Sequence, residues 1–203
     1  MRERVDNCPA VAYVGVGSNI NPEKNIVDAL AALEETRGVT LTGISTFFRT
    51  AALPDPGDST SQPQQELQNP DPDFLNGVLE IRTTLSPTEL LALFAETERT
   101  LGRKRPGNRY APRTIDLDLL LLGLENEEGS DPIWQEIGPT GFLTHPDIER
   151  RPFVAHPLLE LAPNLILPPY RTPLRAFAAS FDTPGGRPET VFTEGLRSRF
   201  VIP

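Results

Sequence analysis

The chain has 203 residues, enough for one domain with a sizeable core, and its 38% apolar share is held down by 22 prolines. A formal net charge of −9 argues against nonspecific nucleic-acid binding and against anchoring to an anionic membrane. The single cysteine, Cys8, excludes an internal disulfide, and the longest apolar run, Leu119 to Leu122, is too short to span a bilayer, so a cytoplasmic protein is expected.

Residues 11–16 are short, apolar and run into Gly17-Ser18-Asn19, which predicts a buried strand ending in a turn. Residues 22–35 carry Ile26, Ala29, Leu30 and Leu33 at helical spacing, and Gly38 follows the stop. A second strand is predicted over 40–50. Residues 54–73, rich in Pro, Gln, Asp and Ser, read as a long flexible loop. A strand over 76–83 comes next. The clearest helix follows, with Ser86 and Glu89 as a capping box, Pro87 in the first turn, a stripe of Leu90, Leu91, Phe94 and Leu101, and Gly102 as the stop. Residues 115–122 form another strand, residues 125–142 an extended loop, and residues 153–161 a further helix. From about residue 168 the sequence gives little signal. The order β-α-β-β-α-β with an added helix predicts an α+β, ferredoxin-like sandwich with helices on one face of an antiparallel sheet. It is expected to be a single domain over 1–203, with its core at about 11–163 and a C-terminal extension over 164–203.

The sharpest chemical signal is Asp116 and Asp118. At positions i and i+2 of a strand they share a face, roughly 6.6 Å apart. Two carboxylates on an otherwise apolar strand repel and lose hydration, and a hard cation such as Mg²⁺ removes that penalty. Alone, the pair is also what a solvated edge strand carries. Upstream, Arg99, Arg103, Lys104, Arg105, Arg109 and Arg113 concentrate six of the 19 basic residues, suited to a small polyanion although a solvated basic loop would look the same. No phosphate-binding G-x-x-x-x-G-K-[ST] motif is present, and Gly15-Val16-Gly17 lacks the third glycine of a dinucleotide fingerprint. His145 and His156 are the two histidines; each, like Phe74 and Phe153, has a structural reading when taken alone.

Taken together, several segments resemble the hydroxymethyldihydropterin pyrophosphokinase family. They are Ala12-Tyr13-Val14-Gly15-Val16-Gly17-Ser18-Asn19, Phe48-Arg49-Thr50, Asp73-Phe74-Leu75-Asn76, the block Glu98 to Leu122, and His145-Pro146 through Arg151-Pro152-Phe153-Val154 to Pro163. The G-R-x-R…P-R-T-x-D-x-D block is the most specific part. The resemblance implies transfer of pyrophosphate from ATP to 6-hydroxymethyl-7,8-dihydropterin, releasing AMP, in folate biosynthesis. It implies two Mg²⁺ ions on Asp116 and Asp118, with Arg103 and Arg113 beside them in the catalytic set. ATP would be bound by Arg103, Arg105, Arg113, His145, Arg151 and the backbone of Leu119. The pterin would lie between Phe74 and Phe153, with Asn76, Thr50 and Leu53 at its edge. A monomer, acting on small molecules without nucleic acid or membrane, is the matching expectation.

Ala51 stands where the family usually has Pro, Tyr110 where it has Trp, and the 54–73 connection is longer than usual. A metal-dependent nuclease or phosphatase would use the same aspartates, but the −9 charge and the paired aromatics argue against it. A proline-rich scaffold would leave Asp116, Asp118 and Arg113 without a role.

Overall fold

In the chain's computed structural model the described residues are 9–51, 73–103, 112–124, 132–137, 144–168, 171–183 and 185–200. Strand β1 (Ala10–Ser18) lies at the centre of the sheet, because Ala12, Val14 and Val16 on one face and Val11 and Tyr13 on the other are all apolar or aromatic. Around it run β2 (Val39–Ile44), β3 (Phe48–Thr50), β4 (Phe74–Thr83), β5 (Asp116–Leu124) and the short β6 (Ile133–Trp134). The order is β6-β5-β1-β4-β3, closed at the far edge by β9 (Arg187–Pro188), with β2 also on β4 and every pairing antiparallel. Two-residue strands β7 (Ile166–Leu167) and β8 (Thr172–Pro173) pair apart from it.

Helix α1 (Pro22–Glu34) buries Ile26, Leu30 and Leu33 on the first face, beside α2 (Pro87–Thr100), which buries Leu90 and Phe94. The expected capping box starts α2: Glu89 N–H donates to Ser86 Oγ at 3.3 Å and Ser86 N–H to Glu89 Oε2 at 2.8 Å. Helix α6 (Thr190–Phe200) completes this layer with Leu196 and Phe200.

Helices on one face only, as the sequence suggests, is not what forms. The opposite face carries α3 (Asp147–Arg150), α4 (Pro152–Leu161) and α5 (Leu174–Ala178). They cover a second core of Tyr13, Val78, Leu120 and Leu121 with Ile148, Val154, Leu158 and Leu174. The cause is in the strands: β1 is apolar on both faces, and Val78 of β4 with Leu120 and Leu121 of β5 extends the apolar area on the second, so both faces need a cover. A bulge opposite Tyr13 and Val14 adds to this by turning Leu120 and Leu121 to the same side of β5.

The single strand expected over 40–50 is two. Between β2 and β3 the chain leaves the ladder: Ser45 Oγ accepts from Val78 N–H at 2.8 Å, and the fully buried Phe47 ring lies over Gly77. A Cβ on Gly77 would come within 2.8 Å of that ring, so the glycine makes the crossing possible.

Candidate active site

Register builds the site. Gly17 of β1 stands opposite Asp116 of β5 on one side and Asn76 of β4 on the other; two residues back, Gly15 stands between Asp118 and Val78. Residues two apart in a strand share a face, so Asp116, Asp118, Asn76 and Phe74 all rise from the α4 side of the sheet. The glycines between them carry no side chain and leave a floor. The result is a pocket of about 140 Å³ whose walls are completed by Thr50, Ala51, Arg113, His145, Asp147, Arg151 and Phe153.

One end of this slot is charged. Arg103 donates from Nη1 to Asp116 Oδ1 at 2.6 Å and to Glu98, and Arg113 Nη1 donates to Asp116 Oδ2. Glu98 is almost wholly buried in α2 and also accepts the backbone N–H of Leu117, between the two aspartates, at 3.0 Å. Asp118 has a different environment. Burial, and then the carboxylates of Asp116, Asp147 and Glu98, push its carboxyl up to about 7, against a smaller opposing pull from Arg103.

Among the described residues no cluster of three or more acidic, His or Cys side chains has the arrangement of an all-protein metal cage. Mg²⁺ asks for less, typically one or two carboxylates with water and substrate phosphate oxygens for the rest. Asp116 and Asp118 fit that demand, and the raised affinity of Asp118 for a proton marks a carboxylate short of positive charge.

Short polar contacts place the remaining groups. The Gly17-Ser18-Asn19 turn pins the approach to β5: Ser18 Oγ donates to Thr114 O at 2.6 Å, and Asn19 Oδ1 accepts from Arg113 N–H at 2.7 Å. That anchors Arg113 beside Asp116. His145 N–H donates to Leu120 O at 2.9 Å, holding the histidine at the edge of the slot, and its Nδ1 accepts from Asp147 N–H at 3.2 Å. Arg151 Nε lies 3.8 Å from Asp147 Oδ1.

The other end is aromatic and neutral. Asn76 Nδ2 donates to Thr50 Oγ1 at 2.8 Å in a buried contact, and Phe74 and Phe153 both face the slot.

Of the residues singled out from the sequence, Thr50, Phe74, Asn76, Arg113, Asp116, Asp118, His145, Arg151 and Phe153 line one pocket. Arg103 joins through Asp116. The side chain of Leu119 is buried in the core on the opposite face, and Leu120 lines the slot instead. Leu53 and Arg105 lie outside the described residues, as do Lys104, Arg109, Tyr110, residues 54–72 and all of the expected 125–142 loop except 132–137, where β6 pairs with β5. Sequence reasoning missed Asp147, Gly15 and Gly17 as wall and floor. The glycine spacing was a usable signal: two glycines two apart in a strand bare one face of it. Asp147 gave none, since only the fold brings it to Asp118.

An α+β domain that sets paired carboxylates and arginines at one end of a slot, and aromatic rings with an amide at the other, defines a group-transfer enzyme uniting an anionic substrate with a flat one. The model of the family 7,8-dihydro-6-hydroxymethylpterin-pyrophosphokinase (HPPK) matches residues 13–163, and the chain belongs to that family. It is 37% identical over 152 residues to the 2-amino-4-hydroxy-6-hydroxymethyldihydropteridine pyrophosphokinase of Bacillus subtilis, covering 74% of this chain and 77% of that one. The enzyme of the same name from Aquifex aeolicus is 34% identical over 171 residues, covering 83% and 90%. Among solved structures, a Plasmodium falciparum HPPK-DHPS triple mutant superposes with a TM-score of 0.56 at 12% identity, over 98% of this chain and 47% of that one. The chain thus spans about half of that longer protein, and the likeness there is one of fold.

Proposed function

We propose that this chain transfers the pyrophosphoryl group of ATP to 6-hydroxymethyl-7,8-dihydropterin, giving the pterin diphosphate and AMP, as a step of folate biosynthesis. The observation that carries the reading is that Asp116 and Asp118 share one glycine-floored slot with Phe74, Asn76 and Phe153. In the reaction the pterin hydroxymethyl oxygen bonds to the β-phosphorus of ATP. The bond from that phosphorus to the oxygen bridging to the α-phosphate breaks, AMP leaves with that oxygen, and the hydroxyl proton is released to solvent.

Asp116 and Asp118 would hold Mg²⁺, with two ions expected, which supplies charge neutralisation at the phosphate oxygens when bound. Arg103 and Arg113, parked on Asp116, carry guanidinium forks that can pass to the phosphates. His145 and Arg151 extend the phosphate-binding wall, Arg105 is assigned to it as well, and the main chain of Leu119 is assigned to adenine. At the other end Phe74 and Phe153 offer ring faces to the flat pterin, while Asn76, Thr50 and Leu53 take its hydrogen-bonding edge. Phosphoryl transfer depends on positioning and charge more than on a protein nucleophile, which suits a slot with no serine or cysteine among the described residues of its walls. The enzyme is read as a cytoplasmic monomer acting on small molecules.

The test is product analysis. The protein is incubated with Mg-ATP, with and without 6-hydroxymethyl-7,8-dihydropterin, and the nucleotides are separated by chromatography. AMP formed only with the pterin present is the expected result; ADP, or nucleotide turnover indifferent to pterin, would overturn the reading.

A further inference from the structure

The chain beyond residue 163, outside the family match, returns to the aromatic end of the slot. Phe181 packs on His156 of α4, ring centroids 6.3 Å apart. Gly185, at φ +83°, then lies against the start of α4: a Cβ there would come 2.7 Å from Pro152 Cγ and 3.3 Å from Phe153 N. Its neighbour Gly186 presses on β3, where a Cβ would meet Arg49 O at 2.5 Å and Thr50 Cγ2 at 2.8 Å. Strand β9 pairs Arg187 and Pro188 with Arg49 and Phe48, and Glu189 fastens it: Arg49 Nε donates to Glu189 Oε1 at 2.9 Å, and Glu189 N–H to Phe47 O at 2.8 Å. Two adjacent glycines therefore touch two different walls, the helix that carries Phe153 and the strand that carries Thr50. Both contacts are closer than any side chain allows.

We propose that this glycine pair is a brace that fixes the spacing between Phe153 and Thr50, and that Gly186 and Glu189 are positioning residues for the flat bicyclic substrate. The inference rests on the aromatic end of the slot being the pterin site. A shift of β3 moves Thr50, and with it the Asn76 amide that donates to Thr50 Oγ1. The charged end is anchored separately, through Ser18 and Asn19 onto Arg113 and Thr114. Loss of the brace therefore separates the affinities of the two substrates.

The test uses full-length Gly186→Ala and Glu189→Gln. Each is titrated calorimetrically with the Mg complex of a non-hydrolysable ATP analogue, then with 6-hydroxymethyl-7,8-dihydropterin in its presence. Gly186→Ala is expected to weaken pterin binding about tenfold and Glu189→Gln about threefold, with the analogue held within about twofold in both. Equal losses for the two ligands would reduce the segment to ordinary structural support and overturn the brace. Unchanged pterin affinity in both variants, with a wild type that binds pterin, would overturn the brace and leave the slot's assignment standing. A wild type that binds the analogue but no pterin would overturn both. Should Gly186→Ala fail to fold, Glu189→Gln decides, since it keeps the shape and removes only the charge that faces Arg49 and Arg187.

Discussion

Gly17 faces Asn76 so closely that a Cβ built on it would lie 2.6 Å from Asn76 Oδ1, whereas the nearest atom to a Cβ on Gly15 is Leu120 Cδ2 at 3.4 Å. The two floor glycines thus differ in what they protect. Gly17→Ala must displace the Asn76 amide, and with it the contact to Thr50. It is expected to weaken pterin binding about tenfold or more while costing the fold only about 1–2 kcal/mol. Gly15→Ala meets ordinary packing contact and is expected to fold as the parent does. Calorimetric titration of the two variants checks this, and equal pterin affinity in both would refute the steric account.

Asp118 sets a pH dependence. Its folded carboxyl titrates near 7, against about 4 in an unfolded chain. Below about pH 4 it is protonated in both states and costs nothing. Between these values the folded form holds a proton that the unfolded form has lost, so stability falls as pH rises through 7. Asp118→Asn removes the burdened charge. In chelator, the variant is expected to melt on the order of 5 °C higher than the wild type at pH 8, with the gap shrinking toward pH 5. Its turnover should be lost. Thermal melts at the two pH values decide, and a variant that is less stable at pH 8 would contradict the buried-charge reading.

Glu98 holds the charged end together from behind. Its carboxylate takes both Arg103 and the Leu117 N–H. Glu98→Ala would leave a buried backbone donor unpaired and Arg103 with Asp116 as its remaining carboxylate partner in this cluster. A loss of about 3 kcal/mol is expected. Glu98→Gln keeps the shape and an acceptor oxygen, so it should cost much less stability while loosening Arg103. Urea denaturation separates the two; equal losses would mean that the charge, not the hydrogen-bond geometry, carries the cost.

What could be read from the sequence was what local rules govern. The Ser86–Glu89 capping box, the stripe of α2 and the shared face of Asp116 and Asp118 each follow from spacing alone, and each appears in the fold. The cover on the second face was harder, because α4 has Val154, Ala155, Pro157 and Leu158 buried and no clean polar stripe to betray a side. Helix α6 gives little sequence signal although Phe192, Leu196 and Phe200 recur every four residues, since Gly195 and three charged residues dilute the pattern. Its place depends on distant partners: Phe47 N–H donates to Thr193 Oγ1 at 3.0 Å across 146 residues of sequence. Asp147 likewise has meaning only beside Asp118, a relation no local window contains.

Phe153 tests the division of the slot. It opens α4 and lines the neutral end, away from the anchor that holds Arg113 to Asn19. An aromatic face against a flat ligand contributes about 0.5–1.5 kcal/mol beyond the area it buries, and truncation to alanine also removes that area. Phe153→Ala is therefore expected to weaken pterin binding about thirtyfold or more, with the affinity for the ATP analogue changed by less than about twofold. The aromatic variant Phe153→Tyr should retain most of the binding. Titration of each ligand gives the ratio directly. If the alanine variant lost both ligands equally, Phe153 would be holding α4 in place and not the pterin.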